Sequence, residues 1–108
     1  MAVLTLQKVS HAGLNPSYVA AEAAGDEFEA GGNRFIHVKN GGASQITVTV
    51  KSQKACDQGF THDLTVDVPA GEERLIGSFD PARFANSAGR VQVTYSDVTS
   101  VTVAALEV

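Results

Sequence analysis

Three histidines, one cysteine and a few clustered carboxylates are the residues of this chain whose types could carry chemistry. His11, His37 and His62 stand far apart, while Cys56 and His62 are separated by five residues, with Asp57 and Asp63 beside them. A zinc centre needs three or four ligands held at fixed geometry, and paired spacings such as C-x₂-C or H-E-x-x-H are absent. A nucleophilic site needs an activated Cys or Ser, a base and an orienting acid. Cys56, His62 and Asp63 supply the types, but neighbouring strand residues face opposite sides, so His62 and Asp63 cannot easily act together. No G-x-S-x-G elbow is present either. Carboxylates gather at Asp26, Glu27 and Glu29 and again at Glu72 and Glu73. Glycosidase chemistry would need two of them facing across a cleft, and a calcium loop would need a D-x-[DN]-x-[DN]-G run that the chain lacks. Phe28, Phe35, Phe60, Phe79 and Phe84 sit at strand and turn edges and suit a core; with no Trp, a sugar-stacking platform has little to build on. The reading is a non-enzymatic chain: no catalytic, cofactor-binding or metal-ligating residue is assigned, and Cys56 is an inert loop thiol.

The elements that position these residues are strands. Residues 34–51 hold two β-rich runs around Gly41-Gly42, a strong hairpin signal. In the second run Ile46, Val48 and Val50 alternate with Thr47, Thr49 and Lys51, the period of a strand with one apolar and one wet face. The period recurs at Leu64-Val66-Val68 and Val91-Val93-Tyr95. Residues 3–9 read as a first strand, broken at Gly13 and Asn15-Pro16. Residues 17–24 read as an extended segment entering a turn, with a short helix as the alternative. A strand over 62–68 stops at Pro69, and another follows over 73–79. Asp80-Pro81 carries the signature of a helix start, and the helix can last only a single turn before residues 86–89 end it. Phe84 is then placed to plug one end of the core. Strands over 90–95 and 100–108 close the chain, with a bulge near Ala104-Ala105 expected from the change of apolar parity. Seven to eight short strands of this kind predict an all-β antiparallel sandwich, Ig-like or jelly-roll-like, with one short helical turn near 81–85.

The chain has 108 residues, enough for one domain over 1–108 with one core, in which residues 1–16 serve as an extended N-terminal arm or a first strand. Hydrophobic residues at 44% and charged ones at 19% describe a globular balance. A net charge of −4 with scattered basic residues argues against nucleic acid, whose phosphates call for clustered Lys and Arg. A lone cysteine forbids an internal disulfide and favours folding in a reducing compartment. The N-terminus shows neither a basic n-region nor a long apolar run, so the expectation is a soluble protein without an export signal or membrane segment.

The order of segments is itself informative. Residues 35–41 (Phe-Ile-His-Val-Lys-Asn-Gly), 46–50 (Ile-Thr-Val-Thr-Val), 59–64 (Gly-Phe-Thr-His-Asp-Leu), 68–71 (Val-Pro-Ala-Gly), 74–77 (Arg-Leu-Ile-Gly), 79–84 (Phe-Asp-Pro-Ala-Arg-Phe) and 91–96 (Val-Gln-Val-Thr-Tyr-Ser) follow one another. This string resembles small β-rich virion structural proteins of tailed bacteriophages, from about Gly25 to the end of the chain. Its motifs are turns and strands rather than catalytic sets. The resemblance implies a capsid decoration or cement protein, made in the host cytoplasm, that sits on the outside of the phage head and binds the major capsid protein. A small symmetric oligomer such as a trimer would give it avidity. Residues 2–16 and the loop 52–61 are the expected docking elements. A head–tail connector or tail component and a carbohydrate-binding adhesin are the alternatives. Because Cys56 is assigned no chemistry, Cys56→Ser is expected to leave the thermal midpoint and any binding activity unchanged, as a melting curve and a binding assay on the variant would check.

Overall fold

A computed structural model describes residues 1–54, 58–59 and 62–108. The strands are β1 (Ala2–Val3), β2 (Leu6–Lys8), β3 (Val19–Ala20), β4 (Asp26–Glu29), β5 (Arg34–Asn40), β6 (Ile46–Val50), β7 (Leu64–Val68), β8 (Glu73–Gly77), β9 (Arg90–Tyr95) and β10 (Val101–Glu107), with one helix, α1 (Pro81–Phe84), between β8 and β9. They form two sheets, one ordered β1-β4-β9-β6-β7 and the other β2-β10-β5-β8, with β3 also paired to β10. From β4 onward each connection crosses from one sheet to the other, except β6 to β7. That wrapping is the double Greek key of a jelly roll, and it decides between the two sandwich types the sequence allows.

The core lies between the sheets and follows the predicted period of two. Ile36 and Val38 of β5, Ile46, Val48 and Val50 of β6, Val91 and Val93 of β9, and Val101, Val103 and Ala105 of β10 are all buried. Phe79 stands between Phe28 and Phe84, with ring centroids 5.8 and 5.5 Å away, so three aromatic rings fill one region of the interior. Asp80 caps α1 as expected, its Oδ1 accepting from the Ala82 N–H at 3.0 Å, and Phe84 is buried. Residues 17–24 are extended, with β3 at their centre, rather than helical.

Four expectations are corrected. The Gly41-Gly42 segment does not close a hairpin: β5 and β6 belong to different sheets. β5 is paired with β10 on one side and β8 on the other, so it has no edge left for β6. The two glycines answer a different need, because a Cβ on either would meet a backbone oxygen of the 99–100 turn at 3.0 Å. The ten strands among the described residues exceed the seven or eight expected, and the sandwich is not wholly antiparallel. β1 runs parallel to β4 and β2 parallel to β10, because the N-terminal segment crosses from one sheet's edge to the other's. Residues 1–8 supply β1 and β2, the strand alternative for this segment rather than the arm. Finally, β10 pairs with β5 without interruption from Val101 to Glu107, so no bulge is present. Ala104 and Leu106 are buried on the outward face, and the change of parity marks a second apolar surface.

Asn40 holds the crossing in place. It is buried, and its Nδ2 donates to the carbonyls of Ser44 (2.8 Å) and Val68 (3.0 Å), while its Oδ1 accepts from the Gly42 N–H at 3.0 Å. Its backbone N–H donates to Glu72 O, and its carbonyl accepts from Gly71 N–H, each at 2.9 Å. One residue thus ties the β5–β6 crossing to the β7–β8 turn. Asn40→Ala leaves buried carbonyls without donors and is expected to lower unfolding free energy by about 1–3 kcal/mol. Asn40→Asp, which cannot donate to Val68 O, should do no better; urea unfolding at unchanged m-value checks both.

Candidate functional site

Strand alternation sets Phe35, His37 and Lys39 of β5 on the outward face of the second sheet, opposite the core residues Ile36 and Val38. In the register of the sheet His37 stands beside Leu75, and Lys39 beside Glu73. Tyr18, the residue before β3, reaches this face from the N-terminal segment. Its hydroxyl meets His37 Nδ1 at 2.5 Å, and His37 Nε2 lies 3.1 Å from Glu73 Oε1. Lys39 Nζ sits 4.1 Å from the centre of the Tyr18 ring, a cation over an aromatic face. With the imidazole proton on Nε2 donated to Glu73, Nδ1 accepts from the phenol, and the three groups form an acid–imidazole–hydroxyl chain. Such a chain can pass a proton. Here it also fastens the segment before β3 to the face of the second sheet. His37 and Glu73 entered the sequence reading only as isolated residues, because 36 positions separate them and nothing local announces the contact.

Among the described residues the other constellations do not assemble. His11 and His62 are exposed and stand apart from His37 in the fold. Asp63 Oδ1 accepts from the Ser52 N–H at 2.9 Å, and the His62 carbonyl accepts from Arg83 Nη2 at 2.9 Å, both structural ties. Cys56 and Asp57 lie outside the described residues, as does Phe60. Among the described residues no three His, Cys, Asp or Glu side chains gather where they could hold a metal ion. Glu27 pairs with Arg90 at 2.9 Å, partly buried, and Glu72 with Arg74 at 3.1 Å at the surface, so these carboxylates serve ion pairs.

Asp26 is the exception. It shares the inward face of β4 with Phe28 and is fully buried. Its Oδ2 accepts from the Tyr95 hydroxyl at 2.8 Å and from the Glu22 N–H at 3.3 Å, while Oδ1 has no partner among the described residues. Burial pushes the carboxyl above its usual range, against the opposing pull of the Tyr95 and Glu22 hydrogen bonds. Burial, together with the adjacent Asp26 carboxylate, likewise holds the Tyr95 phenol well above its ordinary value. The signal was present in the sequence: Asp26 has the parity of Phe28 in a strand whose even positions face inward.

The third feature is a groove of about 370 Å³ where the N-terminal segment meets β10. Leu4, Ala104 and Ala105 form buried walls, and Val3 and Val19, 56% and 53% exposed, stand among its lining residues. Gln7 shapes one wall by a reciprocal pair of 2.8 Å hydrogen bonds with the backbone of Ser17, an amide side chain acting as a substitute strand. Val3, Gln7 and Val19 were not singled out by the sequence reading, since strand and turn patterns do not reveal which edges the N-terminal segment will cover.

Comparison of the chain with protein-family models, with curated proteins and with solved structures found no match.

Asp26 generates a pH dependence whose sign can be worked out. A carboxyl raised in the folded state above its unfolded value contributes most below the unfolded value, and that contribution is lost as pH rises through the folded one. The native chain should therefore lose stability as pH climbs from about 4, near the ordinary carboxyl value, toward neutrality. Asp26→Asn should flatten that part of the profile, gaining on the native chain at pH 7 but not in acid, as melting temperatures across the range would show.

Proposed function

We propose that this chain is a non-enzymatic virion structural protein, a capsid decoration or cement protein that binds the major capsid protein on the outside of a phage head. The resemblance in segment order suggests the class. The groove beside the N-terminal segment is the observation that carries the reading toward protein–protein contact. Two exposed valines from different segments, Val3 and Val19, line one apolar recess, and that surface gains most from burial against another protein. A small module that binds only assembled shell stabilises the shell by its binding free energy, repeated at each copy. Contacts that are individually weak suffice when many copies act on one particle.

In this reading the docking surface is a paired part of the fold, β1 to β3, and not an arm that orders on contact. Residues 9–16, exposed along most of their length, extend the same surface between β2 and β3.

Purified protein is expected to co-sediment with undecorated heads and to raise the temperature at which they release their contents. Val3→Asp combined with Val19→Asp, both at exposed positions that the fold tolerates, should weaken association at least tenfold, about 1.4 kcal/mol or more. Failure to associate with heads, alongside ring formation by the isolated protein, would instead identify a connector.

A further inference from the structure

The second sheet ends at β8, and the backbone pattern of that edge can be read directly. Asn40 N–H donates to Glu72 O across the β5–β8 register, which sets Val38 and Ile36 against Arg74 and Ile76 as the pairs that exchange hydrogen bonds. The amides and carbonyls of Glu73, Leu75 and Gly77 consequently point away from β5. Among the described residues no other strand takes them. Leu75, at the middle of this edge, is the most exposed large apolar side chain among the described residues at 66%. Beside it lies a depression of about 210 Å³ formed with Phe35, Ile76 and Gly77. The absent side chain at Gly77 leaves Phe35 open on that side.

We infer that β8 pairs antiparallel with β8 of a second copy of this chain, about a two-fold axis through Leu75, joining the two outer sheets into one. The edge is self-complementary in three respects. With the axis at Leu75, the two Leu75 residues form a hydrogen-bonded pair, and each Glu73 stands opposite the partner's Gly77, so all three outward-pointing residues find donors and acceptors. The partner's Leu75 then lies diagonally next to Gly77, over the depression against Phe35, so that knob and recess are supplied by the same patch, as an isologous interface requires. No like charges stand directly opposite: Arg74 faces Ile76, and Glu72 faces Ser78. The two Arg74 residues meet only diagonally, each already neutralised by Glu72 at 3.1 Å. Arg74 Nη1 also donates to Glu73 O at 2.8 Å, and that carbonyl keeps a second lone pair for the incoming strand.

The neighbouring edge, β7 of the first sheet, offers no such match. Thr65 and Asp67 are its exposed side chains, and Asp67 is tied to Thr47 at 2.9 Å. A charged edge of that kind resists pairing. The inference does not rest on the decoration reading, because it follows from the edge alone.

The register makes the test specific. Residues paired on the axis in this way have Cα atoms about 5.5 Å apart, within the span of a disulfide. In a Cys56→Ser background, Leu75→Cys should oxidise to a covalent dimer under mild conditions and run at twice the monomer mass on a non-reducing gel. Glu73→Cys, whose two copies lie about 13 Å apart along the strands, should not cross-link. By sedimentation velocity the native chain is expected at twice the monomer mass, and Leu75→Lys, which sets two ammonium groups on the axis, at the monomer mass with its melting temperature retained. A native chain that stays monomeric at its highest soluble concentration would overturn the inference. So would Glu73→Cys cross-linking as readily as Leu75→Cys, or a dimer that survives Leu75→Lys. Capture of an unrelated extended peptide by a native monomer would reassign the edge to a foreign strand and also overturn it.

Discussion

The jelly roll depends on a buried amide. Asn40 sits where β5 ends and the chain must leave its sheet, and a strand end buried there would strand several carbonyls without donors. Its side chain supplies them, reaching Ser44 and Val68 while accepting from Gly42. The same residue's backbone fixes the turn before β8 through Glu72 and Gly71. Two sheet-crossing connections that are distant in sequence are thereby held to one geometry. A hydrophobic residue at this position would fill the space but could not satisfy the carbonyls. The core valines supply bulk stabilisation that many sequences could provide; Asn40 helps specify which sheet each strand enters.

The N-terminal segment is held by a different set of devices. It contributes little to the inter-sheet core beyond Leu4 and Ala21, and it covers edges instead. Two short parallel pairings, the Gln7–Ser17 exchange and the Tyr18–His37 contact each fasten it at one point. Such fasteners are individually modest, because each trades a hydrogen bond to water for one within the protein. Their placement matters more than their sum: they expose Val3 and Val19 along a groove while closing the edges of β4 and β10. Asp26 works against this economy. A buried carboxyl with one oxygen unmatched costs free energy when ionised, and it lies at the turn that leads from the N-terminal segment into β4. That part of the molecule is accordingly the place where a change of pH bears on stability.

The outward face of the second sheet gathers the remaining chemistry. Tyr18, His37, Lys39 and Glu73 come from three segments and meet because β5 lies between β10 and β8. The face continues to Leu75 and Phe35 at the open edge, so a polar network and an apolar edge lie side by side on one surface. A surface of that composition can bind another protein with orientation as well as area, the polar groups setting the register that apolar contact alone leaves loose.

Alternation of Val, Ile and Thr determined the longer strands and their inward faces, because side-chain direction in a strand follows from chain geometry alone. The capped turn at Asp80-Pro81 was legible from its residue types, and of the aromatic residues expected in the core Phe28, Phe79 and Phe84 are buried while Phe35 faces outward. The partners of those strands were decided only in three dimensions. Gly41-Gly42 carries a local signal for a hairpin, yet β5 is claimed on both sides by strands from later in the chain, and long-range pairing outweighed the turn. The apparent bulge at Ala104-Ala105 had the same origin: apolar residues of both parities are needed when both faces of a strand are covered, and only the N-terminal segment's position reveals that cover. The Tyr18–His37–Glu73 chain was illegible for a related reason, and of Asp26 only the parity was legible, not its burial or its partners. A residue's burial and its distant neighbours are properties of the packed sheets, and no spacing along the chain encodes them.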